Sequence, residues 1–104
     1  MSPKRVAKLA QRGDFQQIDR ALASGRVSQF TVLTTLTAIK SDIAVKELRS
    51  RMAQDVEPGI KIAVLSGLRT HKRNDAVSII QDLASDAQPE VSIFARDILK
   101  EWGL

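Results

Sequence analysis

Pro58-Gly-Ile-Lys-Ile-Ala-Val-Leu-Ser-Gly-Leu-Arg-Thr-His71 decides the fold, because Pro89-Glu-Val-Ser-Ile-Phe-Ala-Arg-Asp-Ile-Leu-Lys-Glu-Trp102 echoes it. The pairs Pro58/Pro89, Ile60/Val91, Val64/Ala95, Leu68/Leu99 and Asp55/Asp86 are each 31 residues apart. Within both stretches apolar residues recur at spacings of three and four, the period of an amphipathic helix. Each opens on Pro, whose missing N–H costs nothing in a first helical turn. A repeat period in this range predicts a stacked helical array.

The echo extends upstream with one indel. Phe30 to Leu36 aligns with Ile62 to Leu68 at an offset of 32, and Asp42 to Asp55 aligns with the stretch ending at Asp86. Start and stop signals then divide the chain into seven short helices. The first opens at Ser2-Pro3, buries Val6, Leu9 and Ala10, and stops at Gly13. Asp14 caps the second, with Gln17 three residues on as in a capping box; Phe15, Ile18 and Leu22 form its stripe and Gly25 ends it. Ser28 caps the third, which carries Val32, Leu33, Leu36 and Ile39. Its Thr-rich run favours strand by propensity, but the spacing is helical. Asp42 is the expected cap of the fourth helix, with Val45, Leu48 and Met52 inward. Pro58 and Pro89 open the fifth and seventh, and Asn74 or Asp75 caps the sixth. The loops are short, which makes neighbouring helices antiparallel.

The expected organisation is one domain. Residues 1–27 form a divergent leading helix pair, 28–57 and 58–88 are helix-pair repeats, and 89–104 is a half-repeat. One helix pair cannot bury its apolar face alone; stacking joins the faces into a continuous core. The Asp before each unit (Asp55, Asp86), the Pro at its first turn, the Ile60/Val64 and Val91/Ala95 pairs and the closing Leu68 and Leu99 resemble HEAT-like repeats. HEAT-type arrays often carry Arg just after the hydrophobic position; here those sites are Lys61 and Ser92. The resemblance implies a small right-handed superhelical array that binds a macromolecule on its second-helix surface. A shorter resemblance covers Val77 to Trp102, which looks like the closing helices of the N-terminal domain of transcript-cleavage elongation factors, a four-helix protein-interaction module.

Composition narrows the chemistry. The 104 residues include no Cys, so disulfides, thiolate metal sites and Cys nucleophiles are excluded. No leader is visible behind Met1-Ser-Pro-Lys-Arg-Val6, and no apolar run reaches the roughly 18 residues of a membrane span. The expected location is the cytoplasm. The single His, His71, sits among Arg69, Lys72 and Arg73, which makes it a poor proton acceptor. Asp82/Asp86 and Asp97/Glu101 have helical spacing but no third ligand beside them. No phosphate-cradling glycine motif or Gly-x-Ser-x-Gly turn occurs. The chain is therefore expected to be no enzyme and to carry no cofactor or metal.

Charge is the better guide. The net charge is +4, but residues 1–54 hold ten Lys/Arg against four Asp/Glu, while residues 55–104 hold six against eight. Lys4, Lys8 and Arg12 recur every four residues and make one stripe. Lys46, Arg49 and Arg51 lie on the fourth helix, and Arg69, Lys72 and Arg73 crowd the turn after the fifth. The expected partner-binding residues are Lys4, Lys8, Arg12, Lys46, Arg49 and Arg51. They suit charge-paired contact with an acidic protein surface. A nucleic acid is the alternative ligand for the same cations, through its phosphates, although no aromatic residues are interleaved for base stacking. Trp102 either seals the end of the core or marks an edge for homo-oligomer contact.

Overall fold

The computed structural model describes residues Met1–Leu104 and contains helices and turns but no strand. Seven α-helices follow one another: α1 (Pro3–Gln11), α2 (Phe15–Ala23), α3 (Gln29–Thr37), α4 (Asp42–Met52), α5 (Pro58–Thr70), α6 (Val77–Leu83) and α7 (Pro89–Glu101). A single 3₁₀ turn at Asn74–Ala76 leads into α6.

Local chemistry explains the boundaries. Side-chain oxygens of Ser2, Asp14, Ser28 and Ser41 accept from the backbone N–H three residues on, at 3.1–3.4 Å. Each thereby satisfies one of the orphan donors of a first turn. Helices α5 and α7 have no side-chain cap and begin at Pro58 and Pro89 instead. Two expected caps are corrected. Ser41, not Asp42, caps α4; Asp42 is its first residue, where its charge favours the positive end of the helix dipole. Neither Asn74 nor Asp75 caps α6, because Asp75 is engaged by Arg73 and the 3₁₀ turn supplies the helix start.

The ends of α1, α2 and α5 follow one scheme. Gly13 and Gly25 take φ of 72° and 74° just past α1 and α2, and the next N–H reaches back to the carbonyls of Leu9 and Ala21. This is the Schellman closure that glycine favours. At the end of α5 the same role falls to Lys72, at φ 49°, with the Arg73 N–H bonded to the Leu68 carbonyl.

The helices stack in two layers. Helix α1 packs on α3, α3 on α5 and α5 on α7; α2 lies against α1, α4 against α3, and α6 against both α7 and α4. The result is elongated, 37 × 24 × 18 Å. One core of 24 buried apolar side chains runs through it from Val6 to Ile98. The echoed pair Val64/Ala95 is fully buried. Phe30 breaks the echo: its counterpart Ile62 packs against the core, whereas Phe30 is 51% exposed.

Thr37, at the end of α3, is held from two directions. A Cβ on Gly67 of α5 would lie 2.5 Å from the Thr37 hydroxyl oxygen, so only glycine permits this approach. Below it, the Arg73 guanidinium donates to the Thr37 carbonyl at 2.8 Å and grips Asp75 through two further bonds of 2.9 and 2.7 Å. Arg73 is 1% exposed. The sequence places it among the cations crowding the turn after α5; the left-handed Lys72 instead turns it inward, where its fork ties α3 to the start of α6. The same bonds hold the Asp75 carboxyl below its ordinary value, against the opposing effect of burial.

Candidate interaction surface

The charged side chains fall into two populations. The first spans the seams between successive helix pairs. Arg51 of α4 meets Asp19 of α2 at 2.9 Å, Arg49 of α4 meets Asp82 of α6 at 2.8 Å, and Arg69 of α5 meets Glu101 of α7 at 3.1 Å. The partners are 32 or 33 residues apart, so the bridges join nearly equivalent positions of neighbouring units. Lys61 of α5 also pairs with Asp86, in the turn before α7, and holds that carboxyl below its ordinary value. This gives the repeated Asp a physical role at its second occurrence; Asp55, at the first, is exposed and makes no ion pair.

The second population has no carboxylate partner; it is densest at the α1–α2 end and also includes Lys40, Lys46, Lys72, Arg96 and Lys100 elsewhere. Lys4, Arg5, Lys8, Arg12, Arg20 and Arg26 are all exposed and none takes part in an ion pair. They are all the Lys and Arg residues of α1, α2 and their turns. The two acids of that region are engaged by other groups: Asp14 caps α2 and accepts from the Gln17 amide, and Asp19 is turned to Arg51. One end of the stack is therefore positive, with nothing within the chain neutralising it.

The expected contact residues separate accordingly. Lys4, Lys8 and Arg12 lie free on α1. Lys46 is exposed on α4 and lines an open groove of about 630 Å³ between α4 and α6. That groove is of mixed charge, since Asp42, Arg49, Asp75 and Asp82 line it too. Arg49 is already paired with Asp82, which raises its pKa further. Arg51 is the clearest correction. Its side chain is 11% exposed, bonded to Glu47 and Asp19 and set 6.0 Å from the centre of the Phe15 ring. It is spent on holding α4 to α2. The six residues do not share the second-helix layer, because α1 belongs to the other one.

Three further cations, one flanking the α1 stripe and two on α2 and the turn after it, come together in the fold. Arg5, Arg20 and Arg26 line one concavity of about 220 Å³ together with Met1 and Gln17. Single-helix spacing cannot reveal it, because α1, α2 and the turn after α2 each supply part of the wall. An adjoining concavity, lined by Ser2, Lys4, Arg5 and Lys8, shares Arg5. No carboxylate lines either one.

The remaining candidates are simply placed. His71 is exposed at the end of α5. Asp82, Asp86 and Glu101 are each paired with a cation, and no three His, Asp or Glu side chains gather as a metal site. Trp102 packs against the core from the last turn, while Ile93 and Leu104 are 55% and 67% exposed. No helix is long and apolar enough to cross a membrane. Comparison with protein-family models, with curated proteins and with solved structures finds no match.

Proposed function

We propose that this chain is a non-catalytic, HEAT-like adaptor or regulator that binds an acidic protein surface through the basic α1–α2 end of its stack. One observation carries the reading: every cation of the first 27 residues is exposed and unpaired, whereas the five ion-paired cations all lie beyond residue 48. Unpaired charge of one sign at one end steers an oppositely charged partner and fixes its orientation. The 31-residue period and the two-layer stacking of helix pairs support the HEAT-like description. Lys46 extends the proposed surface onto α4; Arg49 and Arg51 support it structurally.

The test is capture from cells with the tagged chain and with Lys4/Lys8/Arg12→Glu, at low and high salt. Acidic proteins should be retained by the unaltered chain, lost at high salt and lost with the variant. Retention of the same proteins by both chains would sink the reading. The same unpaired cations suit nucleic-acid phosphates, whose binding falls steeply with salt. A labelled duplex and a labelled single strand, titrated at low salt, decide between the two: binding that the variant abolishes favours nucleic acid, and no binding removes it.

A further inference from the structure

We propose that the concavity between α1 and α2 is a receptor for a phosphomonoester group carried on a protein side chain; the protein carrier, though not the anion chemistry, rests on the reading above. Three arginines, Arg5, Arg20 and Arg26, line it together with no carboxylate in the wall. Arg26 is oriented by its Nε, which donates to the Ser24 hydroxyl at 2.9 Å, leaving its terminal nitrogens free. The side chains of Arg5 and Arg20 donate to no protein acceptor and make no ion pair. Gln17 is fixed at the wall by the bond from its amide to Asp14.

Three observations choose the ligand. The first is size. About 220 Å³ is below the usual range of sites for cofactors and drug-sized ligands, but it admits one oxyanion group with its waters. The second is charge. Three neighbouring guanidinium groups repel one another, and a monoester of charge near −2 offsets more of that repulsion than a singly charged carboxylate or diester. Its three terminal oxygens also match a set of planar forks, each able to bond in pairs. The third is α1 itself. Its first turn carries Lys4 and Arg5 and no acid, although the positive end of a helix dipole favours negative charge there. A bound anion relieves this conflict and brings Lys4 and Lys8, in the adjoining concavity, to its flank.

The experiment titrates the full ¹⁵N-labelled chain at constant ionic strength with phenyl phosphate, dimethyl phosphate and acetate, reading amide and arginine Nε resonances. Phenyl phosphate should give saturable shifts at Arg5, Gln17, Arg20 and Arg26. Its affinity should exceed that of dimethyl phosphate or acetate by about tenfold, as expected for charge-assisted paired bonds. Arg20→Gln and Arg26→Lys should each weaken it by about tenfold, the second by losing the fork while keeping the charge. Both side chains are exposed, so the variants should keep the helical spectrum of the parent. Equal affinity for the diester, or shifts spread evenly over Lys40, Lys72 and Lys100, would overturn the proposal. A short phosphoserine peptide should bind at least as tightly as inorganic phosphate; the reverse order would overturn the protein carrier. No partner is present in these titrations, so their failure leaves the adaptor reading standing.

Discussion

Asp75→Ala should destabilise the chain more than Arg73→Met, although the Asp75 side chain is 44% exposed and that of Arg73 only 1%. The reasoning turns on what each change leaves behind. Arg73→Met removes the guanidinium together with its desolvation penalty and keeps an apolar stem of similar length. Asp75 returns to water at little cost. The main loss is the Thr37 carbonyl, which forfeits its 2.8 Å bond. An unsatisfied buried acceptor costs about 1–3 kcal/mol. Asp75→Ala instead strands a buried guanidinium with only that carbonyl for company. Removing one partner of a buried pair costs about 3–5 kcal/mol, and the exposure of Asp75 places this case near the lower bound. At about 4–8 °C per kcal/mol for a domain of this size, Asp75→Ala should lower Tm by roughly 12–24 °C. Urea unfolding followed by circular dichroism at neutral pH gives both differences in stability, and thermal unfolding gives the Tm shift. The double variant should match Arg73→Met alone, because without the guanidinium nothing buried needs the carboxylate. If Asp75→Ala is the milder change, Arg73 is not confined as its burial implies, and the account of the α5–α6 turn fails.

Gly67→Ala should cost about 1–3 kcal/mol by overpacking against Thr37 in the same assay, with part recovered on adding Thr37→Ala. Lys72→Gly should stabilise by about 1 kcal/mol, since φ 49° strains any residue with a Cβ; an unchanged or lower urea midpoint would contradict this. Ser41→Ala should cost about 1 kcal/mol in urea unfolding and Asp42→Ala less than half of that, because only Ser41 caps the helix. The carboxyls of Asp75 and Asp86 titrate below their ordinary value. Their contribution to stability is complete above the unfolded value, about pH 4, and disappears as pH falls through the depressed folded values. Urea midpoints should therefore hold between about pH 7 and pH 5 and fall below about pH 4, with a shallower fall in Asp86→Asn.

The fold was legible because its determinants are local. Helical spacing, the prolines at Pro58 and Pro89, Ser28 as a cap and the glycine stops after α1 and α2 each act over a few residues, and neighbouring letters carry them. Sequence spacing does not decide the outcome where a competing partner sits close in sequence or far away in space. Ser41 and Asp42 are adjacent and both good caps, so the rule alone does not choose. Arg73 reads as one more cation in a basic turn until α3 is brought beside it. Arg51 reads as surface until Asp19, a whole unit earlier, is packed across the seam. The α1 stripe was visible at four-residue spacing, whereas the Arg5, Arg20 and Arg26 wall exists only after α1 and α2 fold together.

Thr37 has a consequence for how far the stack of helices can be cut. A chain ended at residue 57 keeps α3 and α4 but loses both Gly67, which closes over the Thr37 side chain, and Arg73, which satisfies its carbonyl. The point where the sequence echo begins, Pro58, is thus not a boundary of cooperativity. Stacked arrays are usually approximated as units with nearest-neighbour coupling, free to fray from their ends. Here the coupling across one seam is lodged in the last turn of a helix, so the units on either side should melt together, and shortened versions of the protein should be designed around residue 37 rather than residue 58.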